Sequence, residues 1–106
     1  MSYFYGVSGD DSQPHGGYQT TSLLVQNEWN NLVLTRNLVT LKVRFFFNGL
    51  LDVSLNAEHA TASIGSLSAK IGDGYTSLFH GVIEVFRIYD RALSAAEVQA
   101  LYNMGQ

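Results

Sequence analysis

Sugar-gripping chemistry needs an aromatic ring with one apolar end and one wet end, set beside planar polar groups. Tyr18, Tyr75, His15 and His80 are loop or strand-end residues of that kind, with Asn37 and Asp73 as polar partners. The competing reading makes Tyr18 and Tyr75 partly buried strand-end aromatics. Asp10 and Asp11 lie in the Gly/Ser-rich loop "SGDDSQPHGG", and Asp73 in "GDGYTS". Calcium takes several oxygen ligands, usually with more than one carboxylate, so these three acids are the metal candidates. Asp-Asp and Asp-Gly are also ordinary turn residues, and that reading is preferred, with no cofactor expected unless calcium. Glycoside hydrolysis needs two carboxyl groups flanking one bond. Glu84 is the only acid between Asp73 and Asp90, so no catalysis is expected. His15, His59 and His80 fit no zinc spacing.

Composition narrows the classes further. The 106-residue chain carries a net charge of −3, and its six Lys and Arg are scattered. Nucleic-acid binding, which needs a basic footprint, is therefore not expected. No run reaches transmembrane length, and "MSYFYGVSG" has no signal-peptide pattern. With no cysteine there are neither disulfides nor thiolate metal sites. Only 14% of residues are charged while 46% are hydrophobic. Such a chain must bury much of itself or offer apolar surface to a partner.

Short apolar runs separated by Gly, Asn, Asp and Ser predict strands near 2–8, 17–25, 29–36, 40–47, 50–56, 68–72 and 79–89. The fold class expected is all-β, an antiparallel β-sandwich with one short C-terminal helix, in a single domain over 1–106. In "LKVRFFFNGLLDVSL" a two-residue Asn48-Gly49 loop would pair Phe47 with Leu50 and set apolar residues opposite Asp52 and Ser54. A three-residue loop with a bulge at Gly49 shifts the register by one and gathers Leu41, Val43, Phe45, Leu51, Val53 and Leu55 on one face. That register is expected, with Arg44 opposite Asp52. At the end of the chain Ser94 and Glu97 make a capping box, and Leu93 and Val98 a hydrophobic staple. Val98, Leu101 and Tyr102 share a face, and Gly105 can end the helix in the left-handed conformation. Trp29 is expected to pack, and Arg87 to pair with an acid or with carbonyls near the helix.

The stretch "FHGVIEVFRIYDRALSAAEVQALYN" resembles the C-terminal signature of the concanavalin A-like lectin/glucanase superfamily, specifically its laminin G-like jelly rolls. "EWNNLVLT", "RFFFNGLL" and "SAKIGDG" resemble its other strands, in order, so the likeness covers roughly residues 28–104. The resemblance implies a jelly-roll topology. Glycoside hydrolases of this superfamily carry Glu-x-Asp-x-x-Glu on one strand, which this sequence lacks. Family domains are longer, so the chain reads as a domain lacking the usual N-terminal strands: a minimal sandwich, a fragment, or a half completed by another chain. Val85 stands where the family often has Glu, which adds an apolar side chain beside Phe86. Two functions follow. One is a non-catalytic carbohydrate-binding or adhesion module. The other is a structural, self-associating module of a phage virion or cell-surface assembly. The partners expected are a glycan or another protein chain, including a homo-oligomer through an apolar sheet face. The resemblance favours an extracellular, cell-surface or virion-associated place.

Overall fold

The structure, a computed structural model, describes residues 3–6, 16–57, 70–73 and 78–105, with backbone alone for 3–6 and 16–17. Strands β1 (Tyr3–Gly6) and β2 (Gly16–Gln19) pair antiparallel. Strands β3 (Leu32–Asn37), β4 (Lys42–Phe47) and β5 (Leu50–Asn56) form a second antiparallel sheet in the order β3-β4-β5. Helix α1 (Ala95–Met104) follows. The all-β character and the short terminal helix are as expected. The described strands form two small sheets rather than a closed jelly roll.

The β4–β5 hairpin corrects the expected loop. Phe47 faces Leu50 directly, so the turn has two residues. Asn48 (φ 49°) and Gly49 (φ 83°) are both left-handed, the conformation that matches the twist of the flanking strands and favours Asn-Gly. The mismatch between apolar and polar residues is real, but it is resolved further along. The ladder shifts between Phe45 and Phe46, so that Asp52 is the extra, bulged residue. Beyond it Phe45 faces Val53, Val43 faces Leu55, and Arg44 faces Ser54 rather than Asp52. The apolar face of Val43, Phe45, Val53 and Leu55 thus forms as the sequence demands. Leu51 instead faces Phe46, and Leu41 falls in the β3–β4 turn with φ 54°.

Because side chains alternate along a strand, central β4 is buried on both faces. On one, Val43 and Phe45 pack with Tyr18 from β2, with Val53, Leu55 and Ala57 around them. On the other, Phe46 packs with Leu93 and Val98, supported by Val33 and Leu101. The helix therefore covers a sheet face. Ser94 Oγ accepts from Glu97 N, the Glu97 carboxylate accepts from Ser94 N, and Leu93 and Val98 are both buried. Gly105 ends α1 at φ −84°, in the right-handed region rather than the left, with its N–H donating to Tyr102 O.

Two expected strands, 68–72 and 79–89, are not formed among the described residues. Residues 70–73 contribute only an isolated Asp73–Leu78 bridge. Residues 82–89 belong to no strand and are exposed throughout. Trp29, expected to pack, is 67% exposed, because nothing among the described residues covers it.

Candidate functional site

The face of the sheet bearing Phe46 changes character along its length. Near the Asn48-Gly49 turn it is apolar and lies under α1. Toward the other end, Thr35 faces Arg44, Arg44 faces Ser54, and Lys42 lies between Asn37 and Asn56. The first turn of α1 overhangs this polar end. Between them is a cavity of about 260 Å³, whose walls include Thr35, Asn37, Lys42, Arg44, Ser94 and Glu97. That is just below the roughly 300 Å³ at which pockets for drug-sized ligands begin, a size for one small polar ring.

Several lining groups are already committed. Asn37 Oδ1 accepts from Val39 N at 2.9 Å and Thr40 N at 3.0 Å, so it fixes the β3–β4 turn. Lys42 Nζ donates to Asn56 Oδ1 at 2.6 Å. Arg91 Nη1 donates to Glu97 Oε1 at 2.9 Å, and a second Arg91–Glu97 bond makes the pair bidentate. The Arg91 guanidinium, with the Ser94 backbone N–H, holds the Glu97 carboxyl down to about 2. A carboxylate so held is a poor proton donor near neutral pH. The Arg44 side chain is exposed on the central strand and makes no hydrogen bond or ion pair among the described residues. Its guanidinium fork is a planar donor set open to a ligand.

The sequence candidates scatter. Asn37 lines the cavity. Tyr18 is 6% exposed within the Val43–Phe45 core, which leaves no open ring for stacking. Asp73 is exposed and pairs with Lys70 at 2.8 Å. His80 is exposed on the 78–90 stretch. Tyr75, His15, Asp10 and Asp11 lie outside the described residues. No group of three potential metal ligands occurs among the described residues. Arg87 makes no ion pair among the described residues; the pairing expected near the helix falls to Arg91 instead.

Sequence reasoning also missed Asp52. The bulge turns its carboxylate onto the chain leaving β2. It accepts from Thr21 N at 2.8 Å, Thr21 Oγ1 at 2.9 Å and Ser22 N at 3.0 Å, and also from the Ser22 hydroxyl. Desolvation opposes the ionised form, but the Ser22 and Thr21 bonds outweigh it and the pKa is lowered from 3.8. A lowered carboxyl pKa contributes stability that is full above the unfolded value and is lost as pH falls through the folded one. Asp52→Asn is expected to cost about 1–3 kcal/mol at pH 7, because an amide group would face donors. The gap in melting temperature between wild type and variant should be full at neutral pH and close as pH drops below 3.8; pH-resolved thermal melts measure it.

The antiparallel sheets and the terminal helix correspond to a known class. The chain belongs to the concanavalin A-like lectin/glucanases superfamily: the laminin G-like family model matches residues 2–99. No curated protein matches the sequence. Among solved structures, an S-layer domain-containing protein from Clostridium thermocellum ATCC 27405 is similar, at 25% identity and a TM-score of 0.60. The match covers 83% of this chain and 45% of that one, so this chain spans less than half the solved length.

Proposed function

We propose that the protein is a non-catalytic carbohydrate-binding or adhesion module that works at a cell surface. The observation that carries this reading is the small polar cavity beneath the start of α1, with the uncommitted Arg44 guanidinium on its floor. Membership of a lectin-containing superfamily and likeness to an S-layer domain-containing protein support it. The non-catalytic part rests on the acids. Glycosidic chemistry needs a paired acid and base or nucleophile, and the carboxylate beside the cavity, Glu97, is tied up by Arg91 and Ser94.

A glycan-panel assay, run with calcium and with a chelator, tests the reading. Arg44→Ala should weaken any glycan bound by about tenfold or more, as loss of a charged hydrogen bond does, while the melting temperature stays within a few degrees. Binding that survives both the chelator and Arg44→Ala would remove the cavity from consideration. Binding lost with the chelator would instead bring Asp10, Asp11 and Asp73 forward as ligands. A panel with no binder would favour the structural, self-associating module.

A further inference from the structure

The charges around the cavity do not balance. The chain is acidic, at −3, with only six Lys and Arg. Lys42 and Arg44 nevertheless both line this cavity, and Arg91 stands beside it through its pair with Glu97. Lys42 and Arg44 are two residues apart on β4, so they share a face with Cα atoms about 7 Å apart. No acid faces either of them across the sheet. Lys42 lies between Asn37 and Asn56, and Arg44 between Thr35 and Ser54.

Two carboxylates could have served as counter-ions, and both are held elsewhere. A three-residue turn would have set Asp52 opposite Arg44. In the structure Arg44 faces Ser54, and Asp52 is clasped by Thr21 and Ser22. Glu97 lines the cavity, but Arg91 and the Ser94 N–H hold its carboxylate. The Lys42 ammonium has a neutral partner, the Asn56 amide oxygen. With Lys42, Arg44 and Arg91 set against Glu97, two positive charges are uncompensated among the described residues. The cavity also holds a buried polar group in need of a partner. Thr35 is 7% exposed, and its hydroxyl makes no hydrogen bond among the described residues. A buried hydroxyl is costly to leave unpaired.

We propose that the ligand of this cavity is an acidic sugar, a pyranose ring bearing a carboxylate. This rests on the sugar-binding reading and narrows it. The Arg44 guanidinium fork takes a carboxylate through two parallel hydrogen bonds, and Lys42 adds a point charge from the same strand. In such a sugar the carboxylate stands directly on the ring, so anion and hydroxyls fit together in a cavity of about 260 Å³. Ring hydroxyls both donate and accept. That suits the Thr35 hydroxyl and the Asn37 amide, whose oxygen is occupied by Val39 and Thr40 but whose N–H donors are not. A neutral sugar would take water from the two cations and return no counter-charge, which costs affinity.

Paired methyl glycosides separate charge from ring: glucuronide with glucoside, galacturonide with galactoside, mannuronide with mannoside. Each pair differs only in oxidation at C6, so the affinity ratio from an NMR titration isolates the carboxylate. At least one acid should bind about tenfold or more tightly than its neutral partner at low salt, and the ratio should shrink as ionic strength rises. Arg44→Gln removes the charge and keeps an amide donor. It should cut the ratio by about tenfold and leave the melting temperature within a few degrees, since the residue is exposed. Arg44→Lys, which keeps the charge without the fork, should fall between. A wild-type ratio near one, with neutral binding lost in Arg44→Ala, overturns the acidic sugar and leaves the cavity reading standing. An acid preference that Arg44→Gln leaves intact overturns the cavity reading as well. Tighter binding of the matching hexose 6-sulfates assigns the cations to a tetrahedral ester and overturns the carboxylate. No binding by any probe overturns both readings.

Discussion

Replacing Phe46 by alanine should lower stability by about 3–5 kcal/mol, the usual cost of emptying a buried aromatic site. Phe46 is 1% exposed and is the one β4 side chain packed with both Leu93 and Val98. Its loss opens a cavity under α1. The helix is limited in how far it can settle into it, because Tyr102 near its C-terminal end already rests on Gly49. Isolated helices of ten residues are marginal in water, so α1 has little reason to persist once undocked. Far-UV circular dichroism should show helical signal lost early in a urea titration, ahead of the sheet. Leu50→Ala is the control. Leu50 is 63% exposed on the same hairpin, and its truncation should stay within about 0.5 kcal/mol. A Phe46→Ala protein with an unchanged urea midpoint would mean that the helix is not held by this face.

Gly49→Ala should be nearly as damaging, for two separate reasons. At φ 83° Gly49 adopts a conformation that other residues reach only with strain. A Cβ there would also lie 2.7 Å from Tyr102 Cδ1 and 2.9 Å from Tyr102 Cβ. Tyr102 must move, and α1 with it, because the second close atom belongs to the root of the side chain. The combined cost is about 2–4 kcal/mol. A double-mutant cycle separates the parts. Tyr102→Ala removes two of the three close atoms, so the two changes together should cost at least about 1 kcal/mol less than their sum. Additive effects would assign the whole cost to the turn and none to the helix contact.

These sites show what the sequence could reveal. The helix was legible down to its N-cap, because a capping box and a staple are local arrangements over the six residues 93–98, whereas Gly105 ends it in the right-handed region and not the left. Strands β3 to β5 were legible because alternation and an Asn-Gly turn are local too. The parity conflict in the hairpin was also visible: an extra residue had to exist somewhere. Its position was not, because a bulge at Asp52 is favoured by Thr21 and Ser22, thirty positions away, whose paired hydroxyls and amides give the carboxylate its partners. The stretch 79–89 has every compositional mark of a strand, yet strandhood belongs to a pair, and nothing among the described residues pairs with it. Trp29 was misplaced for the same reason, and Tyr18 could be read two ways until its burial was seen. Sequence gives the amphipathic character of a ring, but its exposure depends on which surface arrives to cover it. The cavity at Arg44 was the least legible feature, since it arises where the helix start happens to overhang the sheet.

The Asn48-Gly49 turn has a kinetic consequence. Asn48 exchanges hydrogen bonds with Asn31, accepting at its side chain and donating from its backbone, and Gly49 forms the floor on which Tyr102 rests. One tight turn thus receives segments from both directions along the chain. Hairpins close in microseconds, and closing distant loops costs entropy before the contacts return it. The hairpin is therefore the natural nucleus of folding, and helix docking a late event. Substitutions in the turn should slow folding, whereas those confined to the outer face of α1 should mainly speed unfolding.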